Sequence, residues 1–356
     1  MATNSAQAGQ QDIKNDALYQ KIRELVPPLT GDRYKGQAGK VAVIGGCREY
    51  TGAPYFASYS ALKVGADLSH VFCTEGAATV IKSYSPELIV HPYLPDTNDA
   101  SHEVGEEEKR QSQQRAVDAI DKWLDKFDVV VVGPGLGRDD LILSTVAEVM
   151  GRVRRRNTPM VIDADGLWLV NQNPALVQGY PNAVLTPNAM EFKRLAGKLG
   201  VDPDSKDALQ QVASRMEGPV IVRKGSADEV SDGLVTISCD EQGSLRRAGG
   251  QGDVLSGCIS VFVAWTVRGA GVSKEQLHGA GGASAGSEAA TGGDRGQKES
   301  AGAEEESIPP LLLAAYGGSL LTRLASRAAF QRHGRAMGAT DLLAELGPVV
   351  SQHFDP

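Results

Sequence analysis

The chain has 356 residues, 41% of them hydrophobic, enough to bury one large α/β core or two smaller ones. A formal net charge of −8 and a pI near 5.4 argue against nucleic acid or a membrane surface as partner. Four cysteines, Cys47, Cys73, Cys239 and Cys258, have neither zinc-site nor CxxC spacing, and no apolar run is long enough to span a membrane, so a reduced, cytoplasmic protein is expected.

Residues 1–15 are rich in Ala, Gln and Asn and lack both a signal core and the Arg-rich pattern of a transit peptide. They read as a disordered tail ahead of a single domain over residues 16–350. An amphipathic helix around Ile22–Val26 is stopped by Pro27 and Pro28. The apolar run Val41–Ile44, broken by Gly45-Gly46, predicts a buried strand ending in a turn. Tyr50-Thr51-Gly52-Ala53-Pro54 leads into a helix of small residues from Tyr55 to Gly65, and His70–Cys73 and Pro86–Pro92 read as strands. Residues 96–116 are polar, with a Glu106–Glu108 run, and read as a surface insertion before a helix over Ala116–Phe127.

Val129–Val132 has the continuous apolar character of a strand covered on both faces of a parallel sheet. The turn after it, Gly133-Pro134-Gly135-Leu136-Gly137, begins as a dinucleotide fingerprint, but the last glycine of that pattern falls on Arg138. Gly135 marks either a close backbone approach to a ligand or a tight turn with none. A helix over Leu141–Val153, with a basic end at Arg152–Arg156, leads to a strand ending in Asp163-Ala164-Asp165-Gly166. Two carboxylates at this spacing point to one side and suit a cation on a phosphate; equally, one of them caps the helix beginning near Leu167. Asn188 and Glu191 stand in the relation of a capping box, and both also face the strand ends where ligands bind. The stretch Pro219–Asp228 reads as a further strand, with Lys224 towards its end reaching a phosphate or solvated.

The stretch Arg246–Gly252 followed by Asp253 and the apolar run Val254–Trp265 is the most pointed in the chain. A glycine loop entering a helix aims backbone N–H groups at an anion, and the macrodipole favours negative charge there. Asp253 is therefore expected to stay ionised and to take a proton from a hydroxyl while the amides hold phosphoryl oxygens. The alternative is a turn with Asp253 as a plain N-cap. Residues 271–307, dominated by Gly, Ala, Ser and Glu, cannot build a core and read as a disordered insertion between helices Val254–Val267 and Pro310–Phe330. A last helix spans Thr340–Leu346, with Thr340 as N-cap. Strand and helix alternate without an internal repeat, which predicts one doubly wound α/β domain. Oligomeric state is not legible, and a homo-oligomer is compatible with everything above.

These motifs together resemble the eukaryotic ATP-dependent NAD(P)H-hydrate dehydratases of the ribokinase-like superfamily. The resemblance runs from about Tyr34 to Leu346, sparing the two insertions. It rests on the joint order of Tyr34-Lys35-Gly36, Tyr50–Pro54, Gly133–Gly137, Asp163–Gly166, Thr186-Pro187-Asn188 with Glu191-Phe192, Lys224-Gly225 with Asp228, and Gly249–Asp253. It implies a three-layer α/β/α sandwich with a mostly parallel central sheet. It also implies ATP-driven removal of water from the S epimer of NADHX or NADPHX, restoring the reduced cofactor. Catalysis would fall to Asp253. The hydrate would be held by Gly135, by Asn188, Ala189, Met190, Glu191, Phe192, Lys193 and Arg194, and by Asp253. ATP would be held by Lys224, Gly225, Ser226, Ala227 and Asp228, and by Gly243, Ser244, Leu245, Arg246, Arg247, Ala248, Gly249, Gly250, Gln251 and Gly252. Mg2+ is expected with the triphosphate, its protein ligands unassigned. The nearest rival is another kinase of that superfamily acting on a sugar or vitamin alcohol. A nucleotide-binding sensor is a second, and a Rossmann dehydrogenase is disfavoured by Arg138.

Overall fold

Nine strands form one sheet in the order β3-β2-β1-β4-β5-β6-β7-β8-β9 in the computed structural model, which describes residues 17–97, 105–269 and 308–355. The expected tail over residues 1–15 and the insertion over 271–307 lie outside those residues. The strands are β1 (Lys40–Ile44), β2 (Leu68–Thr74), β3 (Ile89–Leu94), β4 (Val129–Val132), β5 (Met160–Ile162), β6 (Ala183–Leu185), β7 (Val220–Arg223), β8 (Asp228–Ser231) and β9 (Thr236–Cys239). The first seven run parallel, and β8 and β9 add an antiparallel edge. Pro92, which cannot donate to a ladder, sits in the opposite edge strand β3, where that loss is tolerated.

The four valines of β4 explain the layering. Val129 and Val131 join the core on one face, and Val130 and Val132 join the core on the other. On the first face lie α1 (residues 17–25), α2 (Gly52–Val64), α9 (Gln251–Gly269), α10 (Pro310–His333) and α11 (Ala339–His353), with α3 (Glu75–Tyr84) packed beside α2. The second face holds α4 (Glu106–Leu124), α5 (Asp140–Arg155), α6 (Ala164–Gln172), α7 (Ala189–Lys198) and α8 (Ala208–Met216). This is the three-layer α/β/α sandwich expected.

Several boundaries differ from those expected, three of them for a plain physical reason. Residues 106–116 are not a surface loop but the first half of α4: three glutamates favour the helix N-terminus, Lys109 and Arg110 pair with Glu106 and Glu107 one turn back, and burial begins at Ala116. Helix α9 starts at Gln251 rather than Val254, because the Gly250 carbonyl already accepts the Val254 N–H at 3.0 Å. Helix α11 starts one residue before Thr340; Gly338 is its cap, with its N–H donated to the Asp341 carboxylate at 2.8 Å.

Candidate active site

After β1 the chain winds to one side of the sheet, and after β4 to the other, so the ends of these neighbouring strands diverge and leave a crevice. A cleft of about 1330 Å³ opens there, lined by Glu49 and Tyr50 after β1, by Gly135 and Arg138 after β4, and by Asp165 and Asp253. Gly135 has φ +66°, and a Cβ on it would lie 2.7 Å from the Tyr50 carbonyl oxygen. The glycine turn is thus required for the two loops to meet, and it forms part of the cleft wall.

Asp253 lies in the first turn of α9. Its residue number relative to the Gly250 carbonyl makes it the third helical position, not the N-cap, so the plain capping alternative does not hold. The N–H groups of this turn have no partner four residues back and face the mouth of the helix. The expectation of a readily ionised carboxylate is corrected. Burial, then the neighbouring Asp163 and Asp165 carboxylates, outweigh Lys224 and raise the Asp253 pKa to about 7. A carboxyl poised there is matched to proton transfer near neutral pH.

Beneath the glycine loop is a buried ion pair. Lys224, at the end of β7, donates from Nζ to Asp163 Oδ1 at 2.8 Å, and Thr186, at the end of β6, donates its hydroxyl to the same oxygen at 2.8 Å. A Cβ on Gly252 would lie 3.4 Å from Lys224 Nζ and 3.6 Å from Asp163 Oδ2, so the pair sits directly under the anion loop. Burial opposes the charge on Lys224, but Asp163, then Glu191 and Asp253, keep its pKa above the usual lysine value. Lys224 is therefore not simply a solvated surface lysine: it is ion-paired to Asp163 and is also favoured in its charged form by Glu191 and Asp253. Neither aspartate caps α6 with its side chain, although Asp163 occupies the N-cap position. Asp163 makes no capping bond, and Asp165 accepts the Gly137 N–H at 2.9 Å and pairs with Arg138 at 3.1 Å. Both carboxylates are so engaged, and among the described residues no group of three metal-binding side chains stands preassembled for Mg2+.

The family whose model matches residues 41–300 is that of the NAD(P)H-hydrate dehydratases. The chain belongs to this family. It is 48% identical to the ATP-dependent (S)-NAD(P)H-hydrate dehydratase of Physcomitrium patens, over 94% of this chain and 96% of that one. It is 44% identical to the protein of that name from Homo sapiens, over 97% and 86%. The fold is shared with a Bacillus subtilis ADP/ATP-dependent NAD(P)H-hydrate dehydratase co-crystallized with ATP/Mg2+, with a TM-score of 0.62, 17% identity, and coverage of 94% and 97%. It is shared likewise with a ribokinase-like protein of Enterococcus faecalis, with a TM-score of 0.67, 20% identity, and coverage of 94% and 95%.

Within this dehydratase fold the expected site residues divide. Gly135 and Asp253 line the cleft together. Asn188 and Glu191 form the capping box of α7, with Asn188 Oδ1 accepting from Met190 and Glu191 at 3.0 Å and Glu191 Oε2 accepting from Asn188 at 2.9 Å. Glu191 also feels the charge of Lys224, so the residue that closes the capping box neighbours the buried ion pair as well. Asn188, Ala189, Met190, Lys193 and Arg194 are exposed, whereas the Phe192 side chain is buried in the core with Arg223 over its ring. Gly225, Ser226, Ala227 and Asp228 form a tight loop, but the Asp228 carboxylate is spent on Arg323, which reaches it through Nε and Nη2, both at 2.8 Å. Arg323 also donates to the carbonyls of Gly225, Ser226 and Glu241. It thereby ties the loop after β7 to the segment entering Gly243–Gly252. Ser244 and Gln251 are hydrogen-bonded across that segment, and Arg246 donates to the Met337 carbonyl, while Leu245 and Arg247 are exposed. The sequence carries little sign of Arg323 beyond an arginine standing within the mostly apolar stretch Leu311–Ala325.

Proposed function

We infer that this chain removes water from the S epimer of hydrated NADH or NADPH at the expense of ATP. The hydroxyl oxygen of the hydrated ring attacks the terminal phosphorus of ATP, the bond to the ADP oxygen breaks, and Asp253 takes the hydroxyl proton. The ring C–O bond then breaks with its electron pair leaving on phosphate, and loss of a proton from the adjacent ring carbon restores the double bond. ATP and hydrate thus become ADP, phosphate and reduced cofactor. The protein's part in the transfer is positioning and electrostatic stabilisation: first-turn amides of α9 face the phosphoryl oxygens, and Lys224 balances the carboxylates beneath them. Mg2+ comes with the triphosphate, whose charge it neutralises. Four free, buried cysteines support a reducing compartment, and we place the reaction in the cytosol.

The observation that carries this reading is Asp253, with a pKa near 7, standing in the first helical turn on the wall of the switch-point cleft. Purified protein incubated with prepared NADHX and ATP should release phosphate and regain the reduced-nicotinamide absorbance in equal amounts. A stable phosphorylated alcohol would instead identify a small-molecule kinase, and ATP binding without turnover a sensor.

A further inference from the structure

The cleft holds a cation that neither the base nor the glycine loop uses. Arg138 stands immediately after the Gly135–Gly137 turn. Its guanidinium lies over the Trp168 ring, 4.1 Å from the centroid, and its Nη2 is 3.1 Å from Asp165 Oδ1. The other Asp165 oxygen accepts the Gly137 N–H. One carboxylate therefore fastens the turn and the side chain together, while the indole sets the plane of the guanidinium. The side chain remains 52% exposed and lines the cleft shared with Asp253.

A guanidinium presents five N–H donors in a planar fork. The stack uses its face and the ion pair one nitrogen, so donors remain along its edge for an anion. The surrounding cleft is otherwise adverse to anions, with Glu49, Asp139, Asp165 and Asp253 on its walls. Of the other basic groups on those walls, Lys109 and Arg110 pair with glutamates one helical turn away. A neutral hydrated nicotinamide ring needs no arginine. The dinucleotide that carries it has a doubly charged pyrophosphate, which must be held in this acidic cleft when the ring reaches Asp253.

We propose that Arg138, aligned by Trp168 and Asp165, binds the pyrophosphate of the hydrated dinucleotide. The inference rests on the function given above, and its test is chosen to separate the two. Arg138→Ala and Arg138→Lys are compared with the full-length parent in steady-state kinetics on NADHX and NADPHX. Direct binding of ADP-ribose, which carries the pyrophosphate without the reacting ring, is measured by calorimetry. For Arg138→Ala, KM for both hydrates should rise about 10- to 100-fold, the scale of a lost charge-assisted hydrogen bond. ADP-ribose binding should weaken by a similar factor, with kcat and the KM for ATP within about twofold. Arg138→Lys should recover part of the loss, and Trp168→Leu should fall between parent and alanine variant. Unchanged hydrate KM in an active, folded variant overturns the proposal. A loss confined to NADPHX would overturn it too, moving Arg138 to the 2′-phosphate, as would a rise in the KM for ATP alone. If the parent itself fails to turn over hydrate, the functional reading falls, and the ADP-ribose affinities of parent and Arg138→Lys still decide the anion site. Should Arg138→Ala not fold, the lysine variant carries the comparison.

Discussion

Asp253 combines two demands that pull against each other: ionised, it accepts a proton, but its neighbours Asp163 and Asp165 resist a third charge. Asp253→Asn should lower turnover about 10²- to 10⁴-fold while ATP still binds, since the amide keeps the shape and loses the proton acceptor. In the parent, kcat/KM should rise with pH along a limb centred near 7. Stability should run the other way. The folded pKa is raised above the usual 3.8, so the folded state holds a proton that the unfolded chain has lost, and stability falls as pH rises from about 4 to about 7. At pH 8 the asparagine variant should therefore unfold at a higher temperature than the parent, while being nearly inactive; a lower unfolding temperature there would show that burial does not burden the carboxylate. Lys224→Met should lower turnover by at least 10-fold and shift the activity limb to higher pH, because Asp253 loses the one cation that favours its ionised form. Asp253 was legible in the sequence because glycines, acid and apolar helix are contiguous. The Asp163–Lys224 pair was not, for its members are 61 residues apart and meet only once the order β5-β6-β7 is set.

At the scale of elements, Arg323 and the histidines of the sheet edge carry the clearest tests. Arg323 and Asp228 are both about 90% buried and doubly bonded, so Arg323→Met strands a buried carboxylate. A loss on the order of 3–5 kcal/mol in unfolding free energy is expected, together with a raised KM for ATP as the loop after β7 loosens. Urea denaturation with ATP titration measures both. On β2 and β3, His70 and His91 stack with ring centroids 5.2 Å apart and share a 3.0 Å hydrogen bond, enclosed by Phe72, Trp123 and Phe127. Burial, then the partner ring and Lys126 and Lys40, push His70 down to about 4; burial, then Lys82 and Lys126, lower His91 as well. The folded protein holds these rings neutral while the unfolded chain protonates near 6.5. Stability is therefore full above that pH and is lost as pH falls toward 4, on the order of 2–3 kcal/mol for His70. The midpoint of thermal unfolding, followed between pH 7 and 5, should drop, and replacing both rings by leucine should flatten that slope. The two strands are legible in the sequence, but the histidine contact depends on which strands become neighbours. The first half of α4 is hidden in the sequence for a different reason: its apolar face begins only at Ala116, so about three polar turns carry no periodic signal.

For the whole molecule, the parallel sheet was readable from runs such as Val129–Val132, which only a strand covered on both sides can bury, whereas the strand order and the cleft it creates are properties of the assembled sheet. The long segment after α9 raises a question of assembly. Contacts between α9 and α10 pair Gly317 with Phe262, Gly318 with Ile259, and Thr322 with Cys258, so residue numbers rise along one helix as they fall along the other. The helices are antiparallel, and extending that pairing brings Gly269 and Pro310 to the same end of the hairpin. A short connection is then geometrically sufficient. Excising residues 275–305 and joining the ends with a few Gly and Ser residues should leave one cooperative unfolding transition and unchanged hydrate turnover. Loop-closure entropy changes slowly with length, so shortening the connection from about 40 to about 10 residues is worth only about 1 kcal/mol, and a slight rise in unfolding temperature is the expected side effect. A broadened or lost transition would mean that residues in this segment contribute packing to the first-face core, where Phe262, Leu312 and Tyr316 meet. Retained folding with lost turnover would give the segment a part in the reaction, because α9 begins at the glycine loop and any strain at its far end is carried along a rigid helix to Asp253.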